Sequence, residues 1–254
     1  MIPPVAGIFS PFEDLAEAII LFFQEQVGLS WGMAIIGLTF AIRLLVLPLS
    51  LTGIRSMRRM QLIAPQLKEL QEKYKDDRER QQREMLSLYR ENGVNPLASC
   101  FPFLLQIPFF IAIYQLLRSD TFADDVTSSG ASETFLFIDS ILDKPQGAET
   151  VILIALFIAT TALTFVYTMA QTQTTSGAQR YIFMALPVLF APFIATQPAG
   201  LGLYWIATNV WSLGQQYVVQ QIMPAPKPPT EEERVAAKTA KPPPPPPRKR
   251  KRRR

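Results

Sequence analysis

The residue best placed to do chemistry in this sequence is Arg43, the one charged side chain within a long apolar stretch. Residues 31–51, WGMAIIGLTFAIRLLVLPLSL, contain no other charge. As an α-helix this stretch would be about 31 Å long, enough to cross a bilayer. A guanidinium inside a membrane span costs about 3 kcal/mol on insertion scales, so it needs a compensating partner. The chemistry available to it is the attraction of negative charge.

The partner of Arg43 is not an acidic side chain of another span. The four further apolar segments, residues 97–117, 151–169, 181–196 and 201–219, contain no Asp, Glu or His. An intramembrane ion pair is therefore excluded, and water is the partner that remains, which predicts a hydrated cavity inside the helical bundle. The alternative is that Arg43 extends its side chain to the membrane interface, since it lies near the end of its span.

The five apolar segments predict an all-α polytopic membrane protein with five transmembrane helices. They are long and do not alternate with polar residues, so they are not barrel strands. The segment 181–196 would give only about 24 Å of helix, which predicts local thinning of the membrane or burial within the bundle. The single cysteine, Cys100, excludes an internal disulfide.

The distribution of Lys and Arg predicts the orientation of the chain. Residues 53–92 carry ten of them, residues 223–254 carry eleven, and the connection at Arg180 adds one. Residues 1–30 carry none and residues 119–149 carry one. Because positive loops stay on the cytoplasmic side, the N-terminus is predicted outside and the C-terminus inside.

Residues 1–29 predict an amphipathic helix on the outer membrane surface. Glu13, Asp14 and Glu17 lie off a stripe of apolar residues at helical spacing. That stripe consists of Phe12, Leu15, Ala16, Ile19, Phe22 and Phe23. A cleaved signal peptide is the alternative, but the segment has no positively charged start and only a short purely apolar run.

Residues 53–92 predict an antiparallel helical hairpin that projects into the cytoplasm. Its polar sequence contains apolar residues spaced three and four apart, as in a narrow helix–helix seam. They are Met60, Ile63, Leu67, Leu70 and Tyr74 in the first arm, and Met85, Leu86 and Tyr89 in the second. Pro65 is expected to kink or start the first arm.

Proline and polar residues mark two of the later spans. Pro102 and Pro108 remove backbone donors beside Gln106, which fits the wall of a polar cavity, although proline kinks are also common in ordinary membrane helices. In the last span, Tyr204 and Trp205 fall near the outer end, where aromatic residues often form an interfacial belt. Asn209, Gln215 and Gln216 are predicted to hydrogen-bond between helices.

Residues 223–254 predict a disordered cytoplasmic tail. Six consecutive prolines favour an extended spacer, and seven consecutive basic residues follow them. These basic residues are Arg248, Lys249, Arg250, Lys251, Arg252, Arg253 and Arg254. Such a block binds polyanions, and the sequence leaves nucleic acid and anionic lipid open as its partners.

Several motifs together resemble the YidC/Oxa1/Alb3 family of membrane protein insertases. They are FAIRLLVLPLSL in the first span, QLKELQEKYKDDRERQQREMLSLYRENGVNP in the hairpin, FPFLLQIPFFIAIYQLLR in the second span and PAGLGLYWIATNVWSLGQQY before and within the last. The resemblance implies a core at residues 30–222 whose five helices enclose a positively charged hydrophilic groove. It also implies that the protein receives hydrophobic nascent segments there and releases them sideways into the bilayer.

The resemblance assigns the groove to particular positions of this sequence. It implies that Arg43 is the groove arginine, that Thr39 lines the groove one turn away, and that client segments contact a further set of residues in the second and last spans. That set is Gln106, Ile107, Pro108, Tyr204 and Trp205. The chain is expected to be the shorter five-span form, because the large periplasmic domain and the extra N-terminal span of Gram-negative members are not in this sequence. A lipoprotein-type cysteine near the N-terminus is also missing from it, which argues against the lipid-anchored variants.

The expected function is that of a non-enzymatic insertase in the bacterial plasma membrane. Its expected partners are nascent membrane proteins, membrane lipids, the ribosome through the tail and hairpin, and the Sec translocon; no cofactor or metal is expected. A channel or secondary transporter is the first alternative, but it would be expected to carry acids or His within the spans. A membrane enzyme is the second, and the spans offer it no paired carboxylates and no nucleophile with its base.

Overall fold

The computed structural model describes residues 6–95, 101–171 and 177–222, and this part of the chain is helical. The elements are α1 (Ala6–Leu21), a short π-helical turn (Phe22–Gln26), α2 (Trp31–Leu45), α3 (Leu47–Lys73), α4 (Arg78–Glu91), α5 (Phe101–Leu116), α6 (Asp120–Ser128), α7 (Gly147–Gln171), α8 (Gly177–Ile194) and α9 (Ala199–Ile222). Within these ranges, β pairing is confined to one isolated bridge between Phe135 and Ile138. The predicted all-α fold is confirmed.

The helices differ in how well each could cross a membrane alone. Within α7, residues Gly147–Met169 are long and apolar enough to do so. Helices α2 and α3 qualify only as a pair bent by 57°, while Gln106–Leu116 and Met184–Ile194 are shorter apolar segments. The count of five spans therefore stays a prediction.

The stretch 31–51 is not one straight helix, which corrects the expectation from its sequence. Helix α2 ends at Leu45, Val46 leaves the helical region at φ −89° and ψ 0°, and α3 starts at Leu47. Pro48 occupies the first turn of α3, where its missing N–H is not needed. Helix α3 then continues through Pro65 to Lys73, so Pro65 does not start the first arm, and the kink that was the other expectation stays a prediction.

One apolar core joins most of the remaining helices. Helix α1 packs against α5 and α2, α9 lies between α2 and α7, and α8 packs mainly against α7. Buried side chains such as Ile35, Leu38, Ile113 and Leu201 fill the centre of this core. Many large apolar side chains of α7 and α8 remain exposed, which is what lipid-facing helices require.

Helix α1 contributes to this core, rather than only resting on a surface. Ala16 and Ile20 are buried, and the Phe12 ring meets the Phe109 ring edge-on with centroids 5.2 Å apart. Leu15 and Phe22 from the same apolar stripe remain exposed. The stripe therefore serves mainly to attach α1 to α5, and the interfacial position of residues 1–29 stays a prediction.

The segment that follows α6 covers the start of α9. The first backbone N–H groups of a helix lack partners within it, and here Ala199 donates to the Asp143 carbonyl at 2.8 Å and Gly200 to the Ile141 carbonyl at 2.9 Å. A Cβ on Gly200 would lie 2.9 Å from that Ile141 oxygen, so the close approach requires glycine. This cover, residues 129–146, lies over the N-terminal end of α9.

Helices α3 and α4 form a hairpin with its own small core. Ile63, Leu67 and Val94 are buried. Met60, Met85, Leu88 and Tyr89 pack around them. Leu86 was predicted in the seam but faces solvent, and Leu88 takes its place. The Ser56 hydroxyl donates to the Asn95 carbonyl at 3.0 Å, which ties the two ends of the hairpin together.

We expect Leu67→Asp to unfold this hairpin while the membrane helices stay folded. The Leu67 side chain is 5% exposed, so the change removes apolar contacts and buries a carboxylate, at a cost of about 3 kcal/mol or more. Hydrogen exchange should show lost protection in α3 and α4 only. Leu62→Asp is the matched control, since Leu62 lies on the same helix and is 39% exposed. Equal loss of protection in both variants would show that the hairpin core is not the stabilising element.

Candidate functional site

Arg43 lies in the last turn of α2, half-buried, just before the break at Val46. The ion pair found among the described residues is elsewhere, between Arg83 and Glu79 on the hairpin surface. No described carboxylate lies within salt-bridge distance of Arg43. Its guanidinium is instead within electrostatic range of the Tyr204 phenol of α9. The charge is thus held among apolar helices by polar but uncharged neighbours.

Tyr204 and Gln106 form a polar contact across the bundle. The Gln106 side-chain amide on α5 donates to the Tyr204 hydroxyl on α9. Tyr204 is only 2% exposed and Gln106 is half-buried, so each satisfies a group that would otherwise lack a partner in the interior. Together with Arg43 they bring polar side chains from α2, α5 and α9 to one place.

Trp205 lies at the centre of an aromatic cluster next to this polar contact. Its ring centroid is 5.0 Å from that of Phe110 on α5, 5.5 Å from Phe157 on α7 and 6.1 Å from Phe190 on α8. An interfacial belt residue would point away from the protein toward the headgroups. Trp205 is instead half-buried, and its ring contacts link α9 to three other helices.

The remaining predicted groove residues differ in accessibility. Thr39 is fully buried, and its hydroxyl donates to the Ile35 carbonyl of the preceding turn at 2.8 Å. It is therefore not open to an incoming segment in this conformation. Pro108 is half-buried and Ile107 is 41% exposed. The structure brings Arg43, Gln106 and Tyr204 together, and the assignment of all seven residues to a client-binding groove stays a prediction.

Side-chain hydrogen bonds hold α7 against α9. The sequence predicted the participating residues of α9 but not those of α7. Asn209 donates to Thr161 at 2.8 Å and to Thr160 at 3.3 Å, and Thr168 donates to Gln216 at 3.0 Å. The interhelical roles of Asn209 and Gln216 are thus confirmed. The threonines were missed, although Thr160, Thr164 and Thr168 recur every four residues on one helix face.

Two other predictions have different outcomes. Gln215 was expected to bond between helices but accepts from Trp211 of its own helix at 2.8 Å, because a separation of four residues places the two side chains on one face.

The basic residues 248–254 lie outside the described residues. Among the residues described, no group of three His, Cys, Asp or Glu side chains could hold a metal ion.

The fold and the site together define a class: a helical membrane protein with a cationic polar site among apolar helices. The family model of the 60Kd inner membrane protein matches residues 22–227. The chain therefore belongs to the 60Kd inner membrane protein family, and the resemblance derived from its motifs is confirmed.

Curated relatives and a solved structure agree with this assignment. The chain is 32% identical over 251 residues to the membrane protein insertase YidC of Streptomyces avermitilis, covering 88% of this chain and 58% of that protein. It is 36% identical over 219 residues to YidC of Helicobacter pylori strain 26695, covering 85% and 38%. It also resembles an active YidC insertase crystal structure with the first transmembrane domain resolved, with TM-score 0.62, 24% identity, and coverage of 82% and 46%.

These relatives are longer than this chain. The chain spans 58% of the Streptomyces protein and 38% of the Helicobacter protein. The structural likeness, at 24% identity, shows the shared fold.

We expect Tyr204→Phe to destabilise the protein through Gln106, which would lose the acceptor of its amide. An interior polar group left without a partner costs about 1–3 kcal/mol. Thermal unfolding in detergent should show a lowered Tm for Tyr204→Phe, and a partial recovery when Gln106→Leu is added, because both polar partners are then gone. Tyr217→Phe is the control, since Tyr217 is an exposed residue of the same helix. No recovery in the double variant would contradict a direct coupling between the two side chains.

Proposed function

We propose that this protein is a membrane protein insertase, which receives a hydrophobic nascent segment in a hydrated groove beside Arg43 and releases it sideways into the bilayer. The observation that carries the proposal is a half-buried guanidinium in an apolar bundle, next to the Gln106–Tyr204 contact and without a described carboxylate partner. Membership of the 60Kd inner membrane protein family and similarity to YidC insertases support it.

The first step is capture of the client's polar end by charge. A client segment that crosses the membrane must take a polar tail with it, and an acidic tail is attracted to Arg43. Two unit charges about 4 Å apart gain roughly 4 kcal/mol at an effective dielectric near 20, and desolvation offsets part of this gain. The net attraction is therefore modest, which allows the tail to leave again.

The second step is release of the apolar segment. The aromatic cluster around Trp205 offers an apolar surface next to the polar site. The apolar segment of a client can therefore contact the aromatic cluster while its polar tail contacts Arg43. Each buried CH₂ is worth about 0.8 kcal/mol, so a long apolar segment gains more in lipid than its short tail loses on leaving Arg43. Partitioning into lipid then supplies the free energy, without a cofactor or a chemical reaction.

The proposed direction of entry rests on the cover at one end of the bundle. Residues 129–146 cover the start of α9 through the Asp143 and Ile141 carbonyls, and Ser129 accepts from the Trp31 indole at 3.1 Å. With the predicted orientation, this cover faces the outside and the groove opens to the cytoplasm. With the outer face closed, a client can enter from the cytoplasm and leave sideways into the lipid, while ions and water cannot cross the membrane. This difference distinguishes an insertase from a channel.

The proposed location is the bacterial plasma membrane, with the N-terminus outside and the C-terminus in the cytoplasm. Nascent membrane proteins and lipids are the proposed direct partners. The ribosome is proposed as a partner of the hairpin and of the basic tail, and the Sec translocon as a further partner. The relatives named above are called insertases, which supports the client class.

Changes at Arg43 should alter insertion according to the charge of the client's tail. We expect Arg43→Lys to retain most activity, Arg43→Ala to fail mainly with acidic tails, and Arg43→Glu to be worst. A net attraction of about 1.4 kcal/mol would correspond to a tenfold change in capture. The measurement is insertion into proteoliposomes of one client whose tail carries two acids, no charge or two bases. If Arg43→Ala impaired the insertion of all three clients equally, the role of the arginine would be to stabilise the fold or to keep the groove hydrated. Attraction of the client's charge would then be excluded.

A further inference from the structure

A hydrogen bond joins the hairpin to the last helix of the bundle. Arg58 of α3 donates from Nη2 to the Val219 carbonyl of α9 at 3.1 Å, across 161 residues of sequence. Val219 is in the last turn of α9, which ends at Ile222. Its carbonyl is one of the four at a helix C-terminus that have no partner within the helix, and these carbonyls carry the negative end of the helix dipole. A guanidinium is well suited to this position.

The same guanidinium is only partly satisfied. Its Nη1 is buried and has no hydrogen-bond partner in the described part of the chain. A buried charged donor without a partner loses its hydration and gains nothing in return. The docked position therefore pairs one terminal nitrogen of Arg58 and leaves the other without a described partner.

We propose that Arg58 is a latch, which holds the hairpin against the cytoplasmic end of α9 and lets it swing away when the contact breaks. Helices α3 and α9 otherwise pack little against one another. The hairpin core of Ile63, Leu67 and Val94 belongs to α3, α4 and the residues that follow them, so the hairpin stays folded when it is released.

The acceptor of the latch is placed where the basic tail begins. Residues 223–254 follow the last turn of α9 directly. Any force that unwinds or bends this turn displaces the Val219 carbonyl and removes the acceptor. The latch therefore makes the position of the hairpin sensitive to what the tail binds. This last link rests on the proposed function, whereas the docked and released positions do not.

The latch can be tested with Arg58→Met in the full-length protein in lipid nanodiscs. Spin labels on cysteines at Asp76, in the hairpin turn, and at Leu163, on the exposed face of α7, would report the hairpin position by pulsed electron spin resonance in a Cys100→Ser background. Met keeps the length of the side chain but removes every donor. We expect the distance distribution to broaden and to shift away from the docked distance. Arg58→Lys should retain the docked distance because it can still donate to Val219.

Arg59→Met is the matched control, because Arg59 is the exposed neighbour and its loss changes the net charge equally. An Arg58→Met distribution identical to that of Arg59→Met would overturn the proposal. So would a loss of hydrogen-exchange protection at residues 63–67 in Arg58→Met, since Arg58 would then stabilise the hairpin fold and not its docking. Neither readout requires a client, so a failure here is distinct from a failure of the insertase function.

Discussion

A positive charge without an acidic partner in an apolar helical bundle is the constraint on which the rest of this structure depends. The apolar segments of the chain contain no Asp, Glu or His, so they offer Arg43 no carboxylate with which to pair. The neutral Tyr204 phenol of α9 lies within electrostatic range of Arg43 and accepts from the Gln106 amide of α5. In the proposed groove, water would enter from one side only, because a path through both sides would let ions pass across the membrane.

The packing of the helices is consistent with this one-sided requirement. At one end, the backbone carbonyls of Asp143 and Ile141 accept from the first amides of α9. Along the bundle, the Asn209 and Gln216 bonds fix α9 to α7, while Phe12 and Phe109 help to fix α1 to α5. Helix α8 has α7 as its main partner. Helices α1, α2 and α5 therefore meet helices α7, α8 and α9 mainly where α2 packs on α9.

The sequence could predict the parts of this architecture that depend on composition and spacing. Long apolar segments, the charge of the loops and the spacing of Ile63 and Leu67 were enough for an all-α fold and a helical hairpin. The isolated charge of Arg43 was enough to indicate a polar site. The bend at Val46 was not predicted, because a proline near the start of a helix and a proline inside one look alike in sequence.

Long-range partners were the least predictable feature. Tyr204 and Trp205 are adjacent in sequence, yet one bonds to Gln106 in the interior and the other packs against three aromatic rings. Their different surroundings depend on how α5, α7 and α8 are arranged around α9, which side-chain type does not reveal. The same is true of Arg58 and Val219, whose contact depends on the angle at which α3 leaves α2.

The account is tested most directly by asking whether water reaches the site, and from which side. A Gln106→Cys variant in a Cys100→Ser background would be treated with a membrane-impermeant maleimide in inverted and in right-side-out vesicles, with Leu163→Cys as the lipid-facing control. The account predicts that Cys at position 106 reacts in inverted vesicles only and that Cys at position 163 reacts in neither. A site that stays unreactive in both preparations, or one that reacts from the outer side, would contradict a hydrated groove open to the cytoplasm.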